Sequence, residues 1–227
     1  VNLVIGTNNR SKIVELVEQL ESTERQINAV RDIMKESNFE EMPLFGNESD
    51  KARAFMKIQE GCNNYCSFCI IPYTRGKLKS RKIEDIVEEA KRLVDHGFHE
   101  IVLTGIHLGN YGVELPGRPT LADVVKALLE IPELYRIRFG SIESVEVSDE
   151  LVELMATDKR VCPNLHLPLQ AGSDHVLKLM RRHYTLQEYK DLIAKLRSRI
   201  KDLSITTDII AGFPQETDED FEETLNT

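Results

Sequence analysis

The sequence predicts an α/β fold: a partial (β/α) barrel of parallel strands with outer helices, preceded by the tail of another α/β domain. Three observations predict it. From about residue 52 onward the pattern repeats as strand, loop and helix, which implies a parallel sheet, either a barrel or an open doubly wound sheet. The strands alternate apolar with polar residues, whereas a parallel sheet covered on both faces reads as unbroken apolar runs. The helical segments need a whole sheet face to pack on, so the polar face is left to line an interior cavity, which favours the barrel.

The chain begins VNLVIGTNNRSKIVELVEQL, which reads as a short apolar strand, a Gly-Thr-Asn-Asn turn and a helix capped by Ser11. Ile13, Val14, Leu16, Val17 and Leu20 supply the helical period. One strand and one helix cannot bury a core, so residues 1–36 are expected to be the C-terminal tail of an N-terminal domain. Residues 37–51, SNFEEMPLFGNESDK, show no sustained period and collect Pro, Gly, Asn and acidic residues, as a linker does. Residues 52–227 form the core domain, with strands expected at 55–59, 101–104, 137–139, 165–169 and 205–210. Helical patterns over 83–97, 120–131, 148–158, 173–183 and 185–200 separate or follow them. Thr120, Ser148 and Thr185 are placed as N-caps, and Thr185 with Glu188 fits a capping box. The alternation sets Leu165, Leu167 and Leu169 against His166, Pro168 and Gln170, and Met56 and Ile58 against Lys57 and Gln59. It also sets Ile137 against Arg136 and Arg138, and Ile205 and Ile209 against Thr206 and Asp208.

Composition narrows the function classes. The chain has 227 residues, 41% of them hydrophobic, and no apolar run long enough to span a bilayer, so a soluble globular protein with no membrane partner is expected. Its start shows no basic segment leading into an apolar one. A net charge of −9 argues against a general nucleic-acid coat and leaves room only for a local basic patch.

The stretch QEGCNNYCSFCIIPYTRGKLKSR carries the chemistry. Cys62, Cys66 and Cys69 follow the first core strand, at the end where loops form the ligand-binding face of β/α architectures. The spacing C-x3-C-x2-C lets three thiolates grip three corners of a cubane iron–sulfur cluster and leaves the fourth iron free. A zinc site would need a fourth ligand such as Cys162, His96 or His166. Cys162 lies just before a strand start, at the far end from the loop, and is expected to be a core cysteine. Crowded thiols suit a reducing, cytoplasmic compartment better than a disulfide framework. The run RGKLKSRK that follows offers Arg75, Lys77, Lys79 and Arg81 to RNA phosphates, or else is a solvated loop. Arg181-Arg182-His183 is a weaker basic patch of the kind that decorates a helix end.

CNNYCSFC resembles the signature of the radical S-adenosylmethionine enzymes. That resemblance implies a radical-enzyme barrel and a 4Fe-4S cluster whose open iron is chelated by S-adenosylmethionine. An electron from the cluster then splits the sulfonium to yield a 5′-deoxyadenosyl radical. CIIPYTRGKLKSR, EIVLTGIHLGNYG, RIRFGSIES, HLPLQAGSDHVLKLMRRHYT and TDIIAGFPQETDEDFEET together resemble the methylthiotransferases within that superfamily, most closely the branch acting on threonylcarbamoyladenosine beside the tRNA anticodon.

The resemblance implies cofactor contacts from Phe68 near the adenine, Thr104 and Gly105 at the methionine amino group, and Gln170 and Ser173 at the ribose and carboxylate. It adds Asp208 and Gly212 on the fifth-strand motif. Gln215 stands where the family commonly has Gly, and Ala171 where it commonly has Ser. Family members also carry an N-terminal domain with a second 4Fe-4S cluster and a C-terminal RNA-binding β-barrel, so this chain is expected to be a fragment that lacks the sixth barrel strand. tRNA, a low-potential electron donor and a sulfur donor are the implied partners. The reaction the resemblance implies adds a methylthio group to C2 of the modified adenine, with isopentenyladenosine or a ribosomal-protein aspartate as alternative substrates. No side chain stands out as a general base. A reading of another class is a zinc-stabilised RNA-binding module.

Overall fold

The computed structural model describes residues 1–23, 25–42 and 52–227. The N-terminal segment holds two strands where one is expected. β1 (Leu3–Ile5) pairs in parallel with β2 (Ile27–Ala29), with α1 (Ile13–Thr23) between them. β2 is too short and too polar for an alternation pattern to reveal it. Ser11 does not cap α1: it lies in a 3-10 turn, Arg10–Lys12, and its amide and hydroxyl both donate to Glu40 at 3.0 Å. Residues 36–42 are irregular, as a linker should be, yet they are pinned. Arg10 Nε donates to Glu40, and the Phe39 ring lies under both Lys57 and Arg81. The rest of the expected linker, 43–51, lies outside the described residues.

The first core strand divides in two. β3 (Ala54–Lys57) joins the main sheet, while β4 (Gln59–Glu60) turns away. Ile58 marks the division: its amide donates to the Thr104 carbonyl at 2.9 Å and its carbonyl accepts from the Arg81 amide at 2.9 Å. The cysteines and a short helix, α2 (Ile71–Arg75), follow, and the chain returns as β5 (Lys79–Ser80), antiparallel to β4. The basic run is therefore anchored by a two-residue strand, Lys79–Ser80, rather than being an open loop.

Beyond it come α3 (Ile83–Asp95), β6 (Glu100–Thr104), α4 (Leu121–Leu129), β7 (Arg136–Phe139), α5 (Asp149–Thr157) and β8 (Asn164–His166). After these follow α6 (Asp174–Leu179), α7 (Leu186–Arg199), β9 (Ser204–Thr206) and α8 (Asp218–Leu225). β3, β6 and β7 form one parallel sheet in that order, with Met56 opposite Leu103 and Leu103 opposite Phe139. β8 pairs in parallel with β9, and bridges Ile137–Val161 and Ser141–His166 join β7 to β8. In the series β3, β6, β7, β8, β9 each strand thus lies beside the one before it across a helical crossover. A doubly wound sheet reverses strand order at a switch point, and this one does not, so the architecture is the arc of a barrel.

The alternation holds where the strands are regular. Met56, Ile58, Ile101, Leu103, Ile137, Leu165 and Leu167 are fully buried against the helices, including Ile86 and Ala90 of α3, Val124 and Leu128 of α4, and Leu151 of α5. Lys57, Arg138 and His166 lie on the other, more open face. Two expectations fail. Gln59 is fully buried, for reasons that belong to the site. Ile209 is 48% exposed, because β9 ends at Thr206 and the chain steps: Thr207 Oγ1 accepts from the Leu169 amide, and Ile210 packs against the core instead. Cys162 is a core cysteine as expected, its amide donating to the Ile137 carbonyl.

Thr120, Ser148 and Thr185 cap their helices, with full capping boxes at Thr120–Asp123 and Thr185–Glu188. A third box, Thr217–Asp220, opens α8. The Asp220 carboxylate also accepts from Ser173 Oγ and from His175 Nδ1, so one side chain ties α8 to the start of α6. The helix expected over 173–183 stops at Leu179. Arg181 adopts φ +57°, and the amides of Arg181 and Arg182 close onto the Lys178 and Leu177 carbonyls in a left-handed C-terminal cap that turns Arg182 inward.

Two outcomes follow from these elements. The Ser173 hydroxyl, His175 and the Thr217 backbone hold the Asp220 carboxyl well below its usual value near 3.8. Its stabilisation is therefore complete above that value and lost as pH falls below it, so the stability gap between wild type and Asp220→Asn is constant from pH 7 to 5 and narrows below about pH 4 in urea titrations. Gln215 sits at φ +72°, where a side chain is strained, so Gln215→Gly raises unfolding stability by roughly 0.5–1 kcal/mol after the entropic cost of glycine.

Candidate iron–sulfur and cofactor site

The cysteine loop is built on close backbone approaches. Gly61 has φ +76°, and a Cβ there would meet the Lys77 carbonyl oxygen at 1.9 Å, so only glycine lets the outgoing and returning chains touch. The Cys62 amide then donates to the Gly76 carbonyl at 3.1 Å and the Cys69 amide to the Cys66 carbonyl at 3.0 Å. At the far side the loop docks on the end of α6, with the Ser67 amide on the Met180 carbonyl and its hydroxyl on the Leu179 carbonyl.

Gln59 secures the near side. Its Nε2 donates to the Glu60 and Gly61 carbonyls at 2.8 and 2.9 Å, and its Oε1 accepts from the His107 amide at 2.6 Å. Every polar atom of the buried amide is thus engaged, which is the condition for burying it. Gly105 makes room for it: a Cβ at 105 would stand 2.9 Å from Gln59 Oε1 and 3.0 Å from Gln59 Cβ.

Cys62, Cys66 and Cys69 line one cavity of about 190 Å³, with Phe68, Ile106, His107, Glu143, Pro168, Gln170 and Arg182 among its walls. None is in a disulfide. His107 Nδ1 lies 3.5 Å from Cys62 Sγ, and its Nε2 pairs with Glu146. Burial opposes charge on this imidazole, but the hydrogen bonds it donates to Cys62 and Glu146 outweigh it and push the group up to about 10. Burial also pushes the Cys66 thiol up, against the pull of the Arg182 guanidinium 3.2 Å away. Arg182 in turn meets Glu143 at 2.7 Å and lies 5.2 Å from the Tyr184 ring centre.

The donor set fits a polynuclear centre better than zinc. Thiolates 2.3 Å from one tetrahedral zinc stand about 3.8 Å apart. Among the described residues, His107, Glu143 and Glu146 are the one trio of metal-ligating side chains with donor atoms all within 4.8 Å, so the three thiols are spread more widely. The fourth ligands considered for zinc are elsewhere. Cys162 is in the core, His96 bonds the Arg92 carbonyl at the end of α3, and His166 bonds Thr206 and Asp208.

A sequence model of the Radical SAM superfamily matches residues 56–227. The chain belongs to this superfamily. Membership implies a 4Fe-4S cluster and S-adenosylmethionine. Over its whole length the chain is 42% identical to the threonylcarbamoyladenosine tRNA methylthiotransferase MtaB of Bacillus subtilis, and 44% identical to a tRNA-2-methylthio-N(6)-dimethylallyladenosine synthase of Thermoanaerobacter sp.. It spans about half the length of these curated relatives, 50% and 47%. Among solved structures, the radical S-adenosylmethionine methyltransferase TsrM of Kitasatospora setae superposes with a TM-score of 0.62 at 16% identity, over 77% of this chain and 34% of that one. That likeness concerns the fold alone. No helix among the described residues is long and apolar enough to cross a membrane.

Of the other residues expected in the site, Phe68 and Gln170 stand on the cavity wall, Phe68 edge-to-face with Phe213 at 6.4 Å and Gln170 at φ +69°. Thr104, Gly105, Asp208 and Gly212 lie off that wall. Thr104 Oγ1 bonds the Met56 carbonyl, Gly105 accommodates Gln59, Asp208 faces His166 at 3.2 Å, and the amide of Gly212 donates to Glu216. Ser173 is buried on Asp220 and lines a different hollow between α6 and α8. The RNA-facing expectation for Lys79 and Arg81 is corrected. Both are 5% exposed: Lys79 lies among Glu60 and Glu36, and Arg81 pairs with Glu41 and Glu89 because β5 turns them into the seam with residues 36–41. Arg75 is half-buried on Glu60 at 3.0 Å, and Lys77 remains exposed.

Sequence reasoning missed His107, Glu143, Glu146 and the inward turn of Arg182. His107 was open to discovery, since it follows a strand end on the same face as the cysteines. Arg182 was not, because its direction depends on the left-handed turn at Arg181.

Gly105→Ala should displace Gln59 and release the His107 amide. The expected result is a loss of about 1–3 kcal/mol of stability and weaker iron retention after anaerobic reconstitution, read by denaturant unfolding and iron analysis.

Proposed function

We propose that this chain is the radical core of a tRNA methylthiotransferase, in which Cys62, Cys66 and Cys69 hold a 4Fe-4S cluster and leave one iron for S-adenosylmethionine. The observation that carries the reading is the gathering of three unpaired thiols around one cavity at the C-terminal ends of the strands, with Phe68 and Gln170 on its walls. When bound, the cluster supplies a low-potential electron, and S-adenosylmethionine supplies both the methyl group and the radical that attacks an unactivated C–H bond. Phe68, braced by Phe213, offers an apolar face to the adenine, and Gln170 offers an amide to the ribose or carboxylate. Thr104, Gly105, Ser173, Asp208 and Gly212 are the further cofactor contacts on this reading. Arg75 and the exposed Lys77 are the basic residues placed to meet phosphate beside the cysteine loop. A second cluster in a further N-terminal domain, a low-potential electron donor and a sulfur donor complete this reading.

The substrate on this reading is threonylcarbamoyladenosine in tRNA, as in the Bacillus subtilis relative. Dimethylallyladenosine is a second reading, favoured by the equal likeness of the Thermoanaerobacter synthase, 44% against 42%.

Anaerobic reconstitution with iron and sulfide is expected to load about four irons per three-cysteine site. Cys62→Ser, Cys66→Ser and Cys69→Ser should each abolish the cluster absorption. Bound zinc without iron would overturn the enzyme reading in favour of an RNA-binding module. Nucleoside mass spectrometry of tRNA carrying each modified adenine, after incubation with the protein completed by its remaining domains, decides the substrate. A methylthio group appearing only on dimethylallyladenosine would replace the first reading by the second.

A further inference from the structure

Arg182 carries a permanent charge that is almost completely withdrawn from water on the cavity wall and directed at a cysteine sulfur. Its side chain is 3% exposed, its Nη1 lies 3.2 Å from Cys66 Sγ, and its Nη2 lies 2.7 Å from Glu143 Oε2 in an ion pair that lacks hydrogen-bond geometry. Its Nε faces Tyr184 Oη at 3.4 Å, and that hydroxyl is itself anchored on the Leu169 carbonyl at 2.8 Å. The guanidinium is therefore held from two sides while one nitrogen points at the sulfur. A buried arginine held this way is unusual for a helix-end decoration, since burying its charge costs several kcal/mol unless paired. The pairing here is divided between a carboxylate and a thiol.

We infer that Arg182 is a positioning residue for the iron–sulfur centre, donating an N–H···S hydrogen bond to Cys66 that sets the centre's reduction potential, with Glu143 fixing the guanidinium and offsetting its charge. The inference rests on Cys66 being a cluster ligand. The direction follows from charge. One electron taken from an external reductant makes the centre more negative by one unit, and a cation hydrogen-bonded to a ligand sulfur stabilises that reduced state. Arg182 alone therefore raises the midpoint potential. Glu143 lies beside it on the same cavity wall and lowers it, so the pair holds the potential between the two extremes. The same placement explains the left-handed turn at Arg181: without it, residue 182 would continue the outer face of α6 and never reach the sulfur.

The test is an anaerobic redox titration of the reconstituted protein with titanium(III) citrate, followed by electron paramagnetic resonance of the reduced cluster. Arg182→Gln should shift the midpoint to more negative potential and change the reduced-state signal. Arg182→Lys, which keeps the charge but not the planar fork, should fall between it and wild type. Glu143→Gln should shift the midpoint the opposite way, to more positive potential. A merely structural role predicts shifts of the same sign in both variants, and that result overturns the inference. Unchanged midpoints and signals in iron-loaded variants overturn it as well. If Arg182→Gln fails to hold a cluster, the signs measured for Arg182→Lys and Glu143→Gln decide. Failure of wild type to take up iron is a different outcome, which removes the cluster reading itself.

Discussion

The site hangs on one buried amide. Gln59 stands where the first core strand has left the main sheet and the cysteine loop has not yet begun. By donating to Glu60 and Gly61 and accepting from His107, it joins that strand end to the loop after β6. An amide this deep is tolerable only with its hydrogen-bonding capacity filled, so its partners are constrained in turn. Gly105 must lack a side chain, Gly61 must take a left-handed conformation, and His107 must enter the cavity beside Cys62.

A second layer of constraint is electrostatic. Glu60, next to Gln59, accepts from Arg10, Lys57 and Arg75 at 3.0–3.1 Å with its side chain 5% exposed. These three cations come from the N-terminal segment, from β3 and from the helix after the cysteines. A carboxylate with several charge-assisted partners is stable in such a place, whereas one partner would leave it underpaired. Burial alone would raise the Glu60 carboxyl, and the hydrogen bond and charge of Lys57, with the neighbouring cations, bring it below its usual value instead. The basic run thus divides its labour. Lys79 and Arg81 satisfy acids of this chain, Arg75 binds Glu60 while staying part-exposed, and Lys77 faces outward.

Two ion pairs line the cavity. His107 with Glu146 lies beside Cys62, and Arg182 with Glu143 lies beside Cys66. Phe68 and Pro168 add apolar faces to the same lining. A polar, charged cofactor needs such an arrangement, with fixed groups at its ionic end and a flat apolar surface for its ring.

Much of this was legible in the residues themselves. The alternation of Leu165, Leu167 and Leu169 with His166, Pro168 and Gln170 depends only on the two-residue period of a strand, and the cysteine spacing depends only on local chain length, so both survive folding. The caps at Thr120, Ser148 and Thr185 are equally local. What only the tertiary structure decided depends on contacts distant in sequence. Lys79 and Arg81 are buried because residues 36–41 lie across them, Ser173 is claimed by Asp220 forty-seven residues later, and Arg182 faces a thiol 116 residues earlier. Local pattern determines which face of an element is polar. It does not determine which distant partner satisfies a given charge, and here that pairing separates the residues that build the site from those that meet a ligand.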